Sequence, residues 1–121
     1  MKTNTRWNPH APAKLMLNVQ GEKREVVVPH TPEDIDNQPE INAWGLALIA
    51  LSPYDERGIM RWSPYARETL IRLSNEYGDE VVRRQLRGLI IDMNGGFKPT
   101  NPIGLLIHRV RQSGTTKEIM L

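Results

Sequence analysis

Residues 63–94, SPYARETLIRLSNEYGDEVVRRQLRGLIIDMN, contain the pattern that decides the fold. The Ser-Pro pair that opens the stretch is typical of a helix start, and Gly78 is typical of a helix end. Apolar residues recur at every third or fourth position on both sides of Gly78, which is the period of a helix with one buried face. The inward faces so predicted are Ala66, Leu70, Leu73 and Tyr77, followed by Val82, Leu86, Leu89, Ile90 and Met93. The stretch therefore predicts two helices, residues 64–77 and 79–94.

A third helix is predicted from the segment NPIGLLIHRVRQ, residues 101–112. Its first residue is a good N-cap, and the proline that follows suits the first helical position. Its apolar stripe consists of Ile103, Leu106, Ile107 and Val110. Upstream, TPED (31–34) begins a short helix, and Pro39 begins an apolar helix that extends through Leu51.

The N-terminal part of the chain carries a different pattern. In KLMLNVQGEKREVVVP the residues alternate between apolar and polar, and a glycine separates two β-prone runs, which predicts a β-hairpin over 15–28. A chain of 121 residues is long enough to bury a core without metal or disulfides. We expect a mainly α protein, a compact bundle of four to five helices with a short N-terminal β-hairpin. Residues 15–113 form its single globular domain, with the helices in 31–113, between an extended arm (1–14) and a tail (114–121).

Several classes of function are disfavoured by what the sequence lacks. There is no cysteine, and the longest apolar run has nine residues, Ala43 to Leu51, whereas a membrane span needs about 20. The histidines show no metal-ligand spacing to one another or to carboxylates, and no glycine-rich phosphate loop or nucleophile elbow is present. We expect a cytoplasmic protein that contacts no membrane, binds no cofactor or metal and catalyses no reaction.

The charge is unevenly distributed. Residues 1–56 carry five Lys/Arg against eight Asp/Glu, a net −3, whereas residues 57–121 carry eleven against six, a net +5. Nine of the eleven basic residues in the second part are arginine, whose planar guanidinium matches phosphate and stacks on bases. The imbalance favours an anionic partner. The alternative is a basic face that contacts only water.

The arginines of the second half define the candidate binding site. Arg83, Arg84 and Arg87 are assigned to one face of their helix, and no acid follows them at the i+4 position. Two further arginines lie on the last helix, and one lysine lies in the connection between the two helices. If these helices pack side by side, one basic surface results, whose binding to phosphate depends on salt and little on sequence. The predicted nucleic-acid-binding residues are Arg83, Arg84, Arg87, Lys98, Arg109 and Arg111.

Two tryptophans and two glycines are also candidates for a role. Trp7 and Trp62 lie in proline-flanked polar segments beside arginines, a setting that suits base stacking or contact with a partner protein. Trp62 alternatively closes the core. Gly88 and Gly104 lie inside predicted helices, where glycine is costly. We interpret them as positions where the two helices, or another backbone, approach closely, so that they mark a crossing point.

The C-terminal half resembles the small helical modules of bacterial and phage primosome proteins, the DnaD-like group. The "G-x-E-x-V" phrase of those modules is matched by Gly78, Glu80 and Val82, and their closing "N-P-x-G-Y-L-I" phrase is matched by Asn101, Pro102, Gly104, Leu106 and Ile107. Leu105 stands where an aromatic residue is usual. The resemblance covers about fifty residues from Leu70 onward, and the hairpin has no counterpart in it. It implies binding to DNA or to a nucleoprotein complex, without catalysis.

Two hypotheses of function follow. The first is a small, non-catalytic nucleic-acid-binding accessory protein in replication, recombination or gene regulation, with DNA favoured over RNA. The second is a protein–protein adaptor subunit of a larger assembly that does not touch nucleic acid. Because an isolated hairpin is marginally stable and has open edges, we also expect a homodimer in which the hairpins of two chains pair or swap.

Overall fold

The computed structural model describes residues 14–19, 21–54 and 64–119. In these residues a β-hairpin precedes five α-helices, and a short 3₁₀ turn follows the second helix. The bounds of the elements are β1 Lys14–Val19, β2 Glu22–Val27, α1 Pro32–Asp36, α2 Ala43–Leu51, the 3₁₀ turn Ser52–Tyr54, α3 Pro64–Tyr77, α4 Asp79–Asn94 and α5 Pro102–Ile119. The predicted fold class is confirmed. The predicted N-terminal arm lies outside the described residues, except that its last residue begins β1.

The core is built around α2. Almost every residue of α2 is buried, as its lack of a polar face predicts, and α3, α4 and α5 all pack against it. The predicted core residues of the three longer helices are buried as well. They are Leu70, Leu73, Leu86, Ile90, Ile103, Leu106 and Val110. The helical period therefore identified the buried faces of α3, α4 and α5 correctly.

The start of α2 differs from the prediction. The sequence placed it at Pro39, but the helix begins at Ala43, with Asn42 as its N-cap. The carbonyls of Gln38, Pro39 and Ile41 accept hydrogen bonds from a side chain of α4. These carbonyls belong to an irregular turn between α1 and α2. If a helix began at Pro39, the carbonyls of Pro39 and Ile41 would instead accept hydrogen bonds from backbone N–H groups of that helix.

The end of α5 also differs from the prediction. The sequence assigned residues 114–121 to a tail, but α5 continues to Ile119. Gly114 lies within this helix, which is tolerated at a cost of about 1 kcal/mol relative to alanine. Gly78, in contrast, follows the last residue of α3 with a φ of 102°, a backbone conformation that favours glycine.

The hairpin packs against the helical part, and is hydrogen-bonded to it, through β2. Val26 is completely buried. The side-chain amide of Gln38 donates to the carbonyl of Val27 at 2.9 Å and accepts from its N–H at 3.0 Å. Gln38 therefore covers the outer edge of β2 at one residue, Val27, and neither strand has a third strand beside it in the described part of the chain.

The two glycines predicted to mark a helix crossing do not do so. A Cβ at Gly88 would meet no atom within 4 Å, so no backbone approaches it. At Gly104, a Cβ would lie 2.5 Å from the side-chain amide of Asn101, whose oxygen accepts from the Gly104 N–H at 3.0 Å. Gly104 therefore makes room for the N-cap of its own helix, and the prediction of a crossing point is wrong.

Candidate nucleic-acid interface

Helix α4 directs its arginines to different sides. Successive residues of a helix are rotated by about 100°, so Arg83 lies about 60° from Leu86 and about 20° from Ile90, both of which are buried. Arg84 lies about 160° from Leu86 and therefore points outward. Arg83 therefore faces the core, and Arg84 faces water.

Arg83 is a buried structural residue. Only 9% of its side chain is exposed, and its Nε donates to Asp79 one turn earlier at 2.5 Å. Its terminal nitrogens donate to the carbonyls of Ile35, at 3.2 Å, and of Gln38, Pro39 and Ile41. The guanidinium thus holds the turn between α1 and α2 against α4.

The prediction that Arg83 belongs to an acid-free face that meets a polyanion is wrong. The residue four positions after Arg83 is Arg87, whereas the acid that pairs with Arg83 lies four positions before it. Asp79 also accepts from the N–H of Ala43 at 2.9 Å, so one carboxylate links α4 to the start of α2. The five-donor fork of Arg83 is committed to the fold.

Arg87 also forms ion pairs with acidic side chains. Its guanidinium contacts Asp36 of α1 at 3.0 Å and Glu80 of its own helix at 2.5 Å, and 22% of its side chain is exposed. Seven residues separate Glu80 from Arg87, two turns on the same side of α4. This arginine does not present a free positive charge.

The two arginines of α5 lie on different sides of that helix. Arg109 contacts Asp92 of α4 at 3.0 Å. Arg111 is two positions further along, a rotation of about 200°, so it points away from α4. It is exposed, and within the described residues no acid or hydrogen-bond partner contacts its side chain. The prediction of one basic surface that joins α4 to both α5 arginines is therefore wrong.

Of the predicted cations, those left without a partner in the described ranges are Arg84, Lys98 and Arg111. Arg84 lies on the outer face of α4, and Lys98 lies in the connection that follows α4. Gly88 and Ile91 lie on the same outer stripe as Arg84, and Phe97 precedes Lys98. We name these five residues the α4 outer surface: Arg84, Gly88, Ile91, Phe97 and Lys98.

Two apolar residues of this surface were missed by the sequence analysis. Ile91 is 56% exposed and Phe97 is 44% exposed, among the most exposed large apolar side chains that the structure describes. They line an open groove together with Asp92, Gly95 and Arg109. The signal was present, since Ile91 lies seven residues after Arg84 and hence on the outward side of α4.

The predicted partner-binding residues Trp7 and Trp62 lie outside the described residues. His108 is exposed on α5, whereas His30 is buried and its Nδ1 lies 2.8 Å from the carbonyl oxygen of Val28. In the described ranges, no three His, Cys, Asp or Glu residues come together in a way that would hold a metal ion.

None of the helices in the described part combines the length and the apolar character that crossing a bilayer requires. Comparison with protein-family models, with characterised proteins and with solved structures found no match to this chain.

Proposed function

We propose that the protein is a small, cytoplasmic, non-catalytic nucleic-acid-binding accessory protein, and that it binds through the α4 outer surface. The observation that supports this is the pairing of two cations, Arg84 and Lys98, that have no acid partner in the described residues with the half-exposed ring of Phe97. Cations combined with an exposed aromatic face are what non-specific nucleic-acid binders use. The resemblance of the C-terminal half to DnaD-like modules agrees with this proposal, with DNA as the favoured ligand and replication as one setting.

The contacts made by the arginines reduce the salt dependence that we expect for nucleic-acid binding. Five arginines facing phosphate would give a slope of log affinity against log salt of about −4 to −5 on duplex DNA. Arg83, Arg87 and Arg109 are committed to acids or carbonyls, and Arg111 lies on the side of α5 that points away from α4, so of the five arginines only Arg84 is counted, with Lys98 added. Two contacts, from Arg84 and Lys98, give a slope of about −2 on a duplex and about −1.4 on a single strand.

The test is a titration of mixed-sequence DNA and RNA, followed by fluorescence anisotropy between about 50 and 200 mM salt. We expect the parent to show the reduced slope and the double variant Arg84→Gln/Lys98→Gln to lose most of it. The matched control is Arg67→Gln/Arg72→Gln, which removes two exposed cations of α3 that have no partner in the described ranges. Equal binding by the parent and the α4 variant, or an equal loss in both variants, would contradict the proposal.

The second candidate function is a protein–protein adaptor without nucleic-acid contact. It is favoured by the same exposed pair, Ile91 and Phe97, because aromatic residues and arginines are enriched in protein interfaces. It predicts no binding of DNA or RNA even at low salt, which the titration above detects directly.

The assembly that we propose is a homodimer formed through the hairpins. Gln38 covers the edge of β2 at Val27, and four of the six residues of β2 are charged, whereas β1 carries one charge, Lys14. Charged residues protect strand edges from pairing, and β1 has that protection only at its start. Antiparallel pairing of β1 with the same strand of a second chain would give a four-stranded sheet. Sedimentation at high protein concentration tests this, and a monomer contradicts it.

A further inference from the structure

The backbone at the end of α4 fixes the position of Phe97. Gly96 has a φ of 112°, the N–H of Gly96 donates to the carbonyl of Met93 at 3.1 Å, and the N–H of Phe97 donates to that of Asp92 at 3.0 Å. These two bonds form a Schellman motif, which ends a helix in one defined geometry. The motif is usually accompanied by an apolar contact between the residue in the position of Phe97 and one in the last turn of the helix. Here Ile91 and Phe97 lie in the same groove.

The ring is more exposed than a helix cap requires. A cap contact needs one apolar side chain to cover another, but Ile91 and Phe97 both remain about half in water. Burial of apolar area is favourable by roughly 25 cal/mol per Å². The exposed area of Ile91 and Phe97 therefore does not contribute to the stability of the fold. A defined helix-end geometry with an exposed ring is a suitable platform for stacking.

The charges near the ring include two cations that have no acid partner in the described residues. Lys98 follows Phe97 directly, and Arg84 lies two helical turns before Ile91, a distance of about 10 Å along the axis of α4. Arg109 lines the groove, with its charge balanced by Asp92 at 3.0 Å. Arg84 and Lys98, which have no acid partner in the described residues, therefore lie before and after the apolar pair along the chain.

We infer that the groove binds one base of a single-stranded nucleic acid, with the ring of Phe97 stacked on the base and the cations Arg84 and Lys98 on the adjoining backbone. This inference rests on the proposed function and names its ligand as single-stranded. The bases of a duplex are already stacked on one another and cannot reach the ring without being extruded. Duplex binding therefore uses the two cations alone.

The size of the apolar patch separates this ligand from a protein partner. A stable protein–protein interface buries about 800 Å² on each partner around a desolvated centre. Two half-exposed side chains, Ile91 and Phe97, provide only a small part of that area, but they match one face of a single base. A stacked base contributes binding on this small area because every base has a π face.

The experiment compares Phe97→Leu and Phe97→Trp with the parent on an oligothymidylate strand and on a duplex of similar length. Leucine keeps the apolar contact of the helix cap but removes the ring. We expect Phe97→Leu to lower single-strand affinity about tenfold, which is about 1.4 kcal/mol, and to leave duplex affinity unchanged. The salt slope on the single strand stays that of the parent, because no charge is removed. Phe97→Trp binds the single strand at least as tightly as the parent.

The matched control is Tyr65→Leu, which removes an aromatic ring of α3 that is 60% exposed, and it leaves both affinities unchanged. If the parent binds both ligands but Phe97→Leu changes neither affinity, the stacking inference is wrong and the proposed function stands. If the parent binds neither ligand, both are wrong. If Phe97→Leu loses its helical circular dichroism, Phe97→Trp decides, and weaker single-strand binding by that variant overturns the inference.

Discussion

Arg83 and Arg84 are adjacent in the sequence and identical in kind, but the molecule uses them differently. Arg83 is buried and donates to one carboxylate and four backbone carbonyls, so its guanidinium is engaged in contacts within the fold. Arg84 is exposed and has no partner among the described residues. Their difference shows that a cluster of arginines in a sequence is not a count of available positive charges. The side of the helix on which each one lies decides what it contacts.

The largest effect that this comparison predicts is on stability. Replacing Arg83 with methionine leaves the turn carbonyls without a donor and Asp79 without its partner, so we expect a loss of about 3 kcal/mol or more in the free energy of unfolding. Arg84→Met, the matched change one residue away, alters it by less than about 0.5 kcal/mol. Urea unfolding followed by circular dichroism measures both. Equal effects of the two changes would show that the division between the two faces is not real.

Arg83→Lys sharpens the same comparison. Lysine keeps the charge but has one ammonium in place of a five-donor fork, so it cannot reach a carboxylate and carbonyls on several sides at once. We expect it to recover only a minor part of the stability lost in Arg83→Met. Full recovery in urea unfolding would mean that charge alone, and not the geometry of the fork, holds the turn.

A smaller effect on stability is expected at the end of α4. Gly95 and Gly96 are also adjacent, and their backbone conformations differ. Gly96 has a φ of 112°, whereas Gly95 has a φ of −84° and room for a Cβ. Gly96→Ala is expected to destabilise the protein by about 1–2 kcal/mol, because a side chain is strained at positive φ. Gly95→Ala is expected to be nearly neutral. Thermal unfolding distinguishes them, and a neutral Gly96→Ala would contradict the Schellman geometry that positions Phe97.

The smallest effect is a gain. Gly88 lies within α4, and a Cβ there would meet no atom within 4 Å. Alanine is favoured over glycine inside a helix, so we expect Gly88→Ala to raise the free energy of unfolding by about 0.5–1 kcal/mol. A loss of stability would mean that this part of the α4 outer surface is packed against something in the folded protein.

The fold was predictable from the sequence where local chemistry decides it. The Ser-Pro and Asn-Pro starts, the glycine at position 78 and the apolar period gave the bounds of α3 and α4, the start of α5 and the core. The start of α2 was not predictable from local rules, because it depends on Arg83, a residue distant in sequence whose guanidinium binds the carbonyls that precede the helix.

The candidate site was predicted only in part. Arg84 and Lys98 have the exposure that the sequence analysis assigned to them, but the acids that pair with Arg87 and Arg109 come from neighbouring helices. Such pairs depend on how helices pack, which charge counts along the chain do not contain. The burial of Arg83 was within reach of the sequence, since it lies seven residues before Ile90 on the same side of α4.

The proposed binding site can be located directly by the change in backbone amide NMR shifts when an oligothymidylate strand is added to the parent protein. We predict that the changes concentrate at Arg84, Gly88, Ile91, Phe97 and Lys98, and that Arg83 and Arg111 show little change. Shift changes centred on α3 or on the Arg111 side of α5, or no shift changes at all, would contradict the assignment of the α4 outer surface as the binding site.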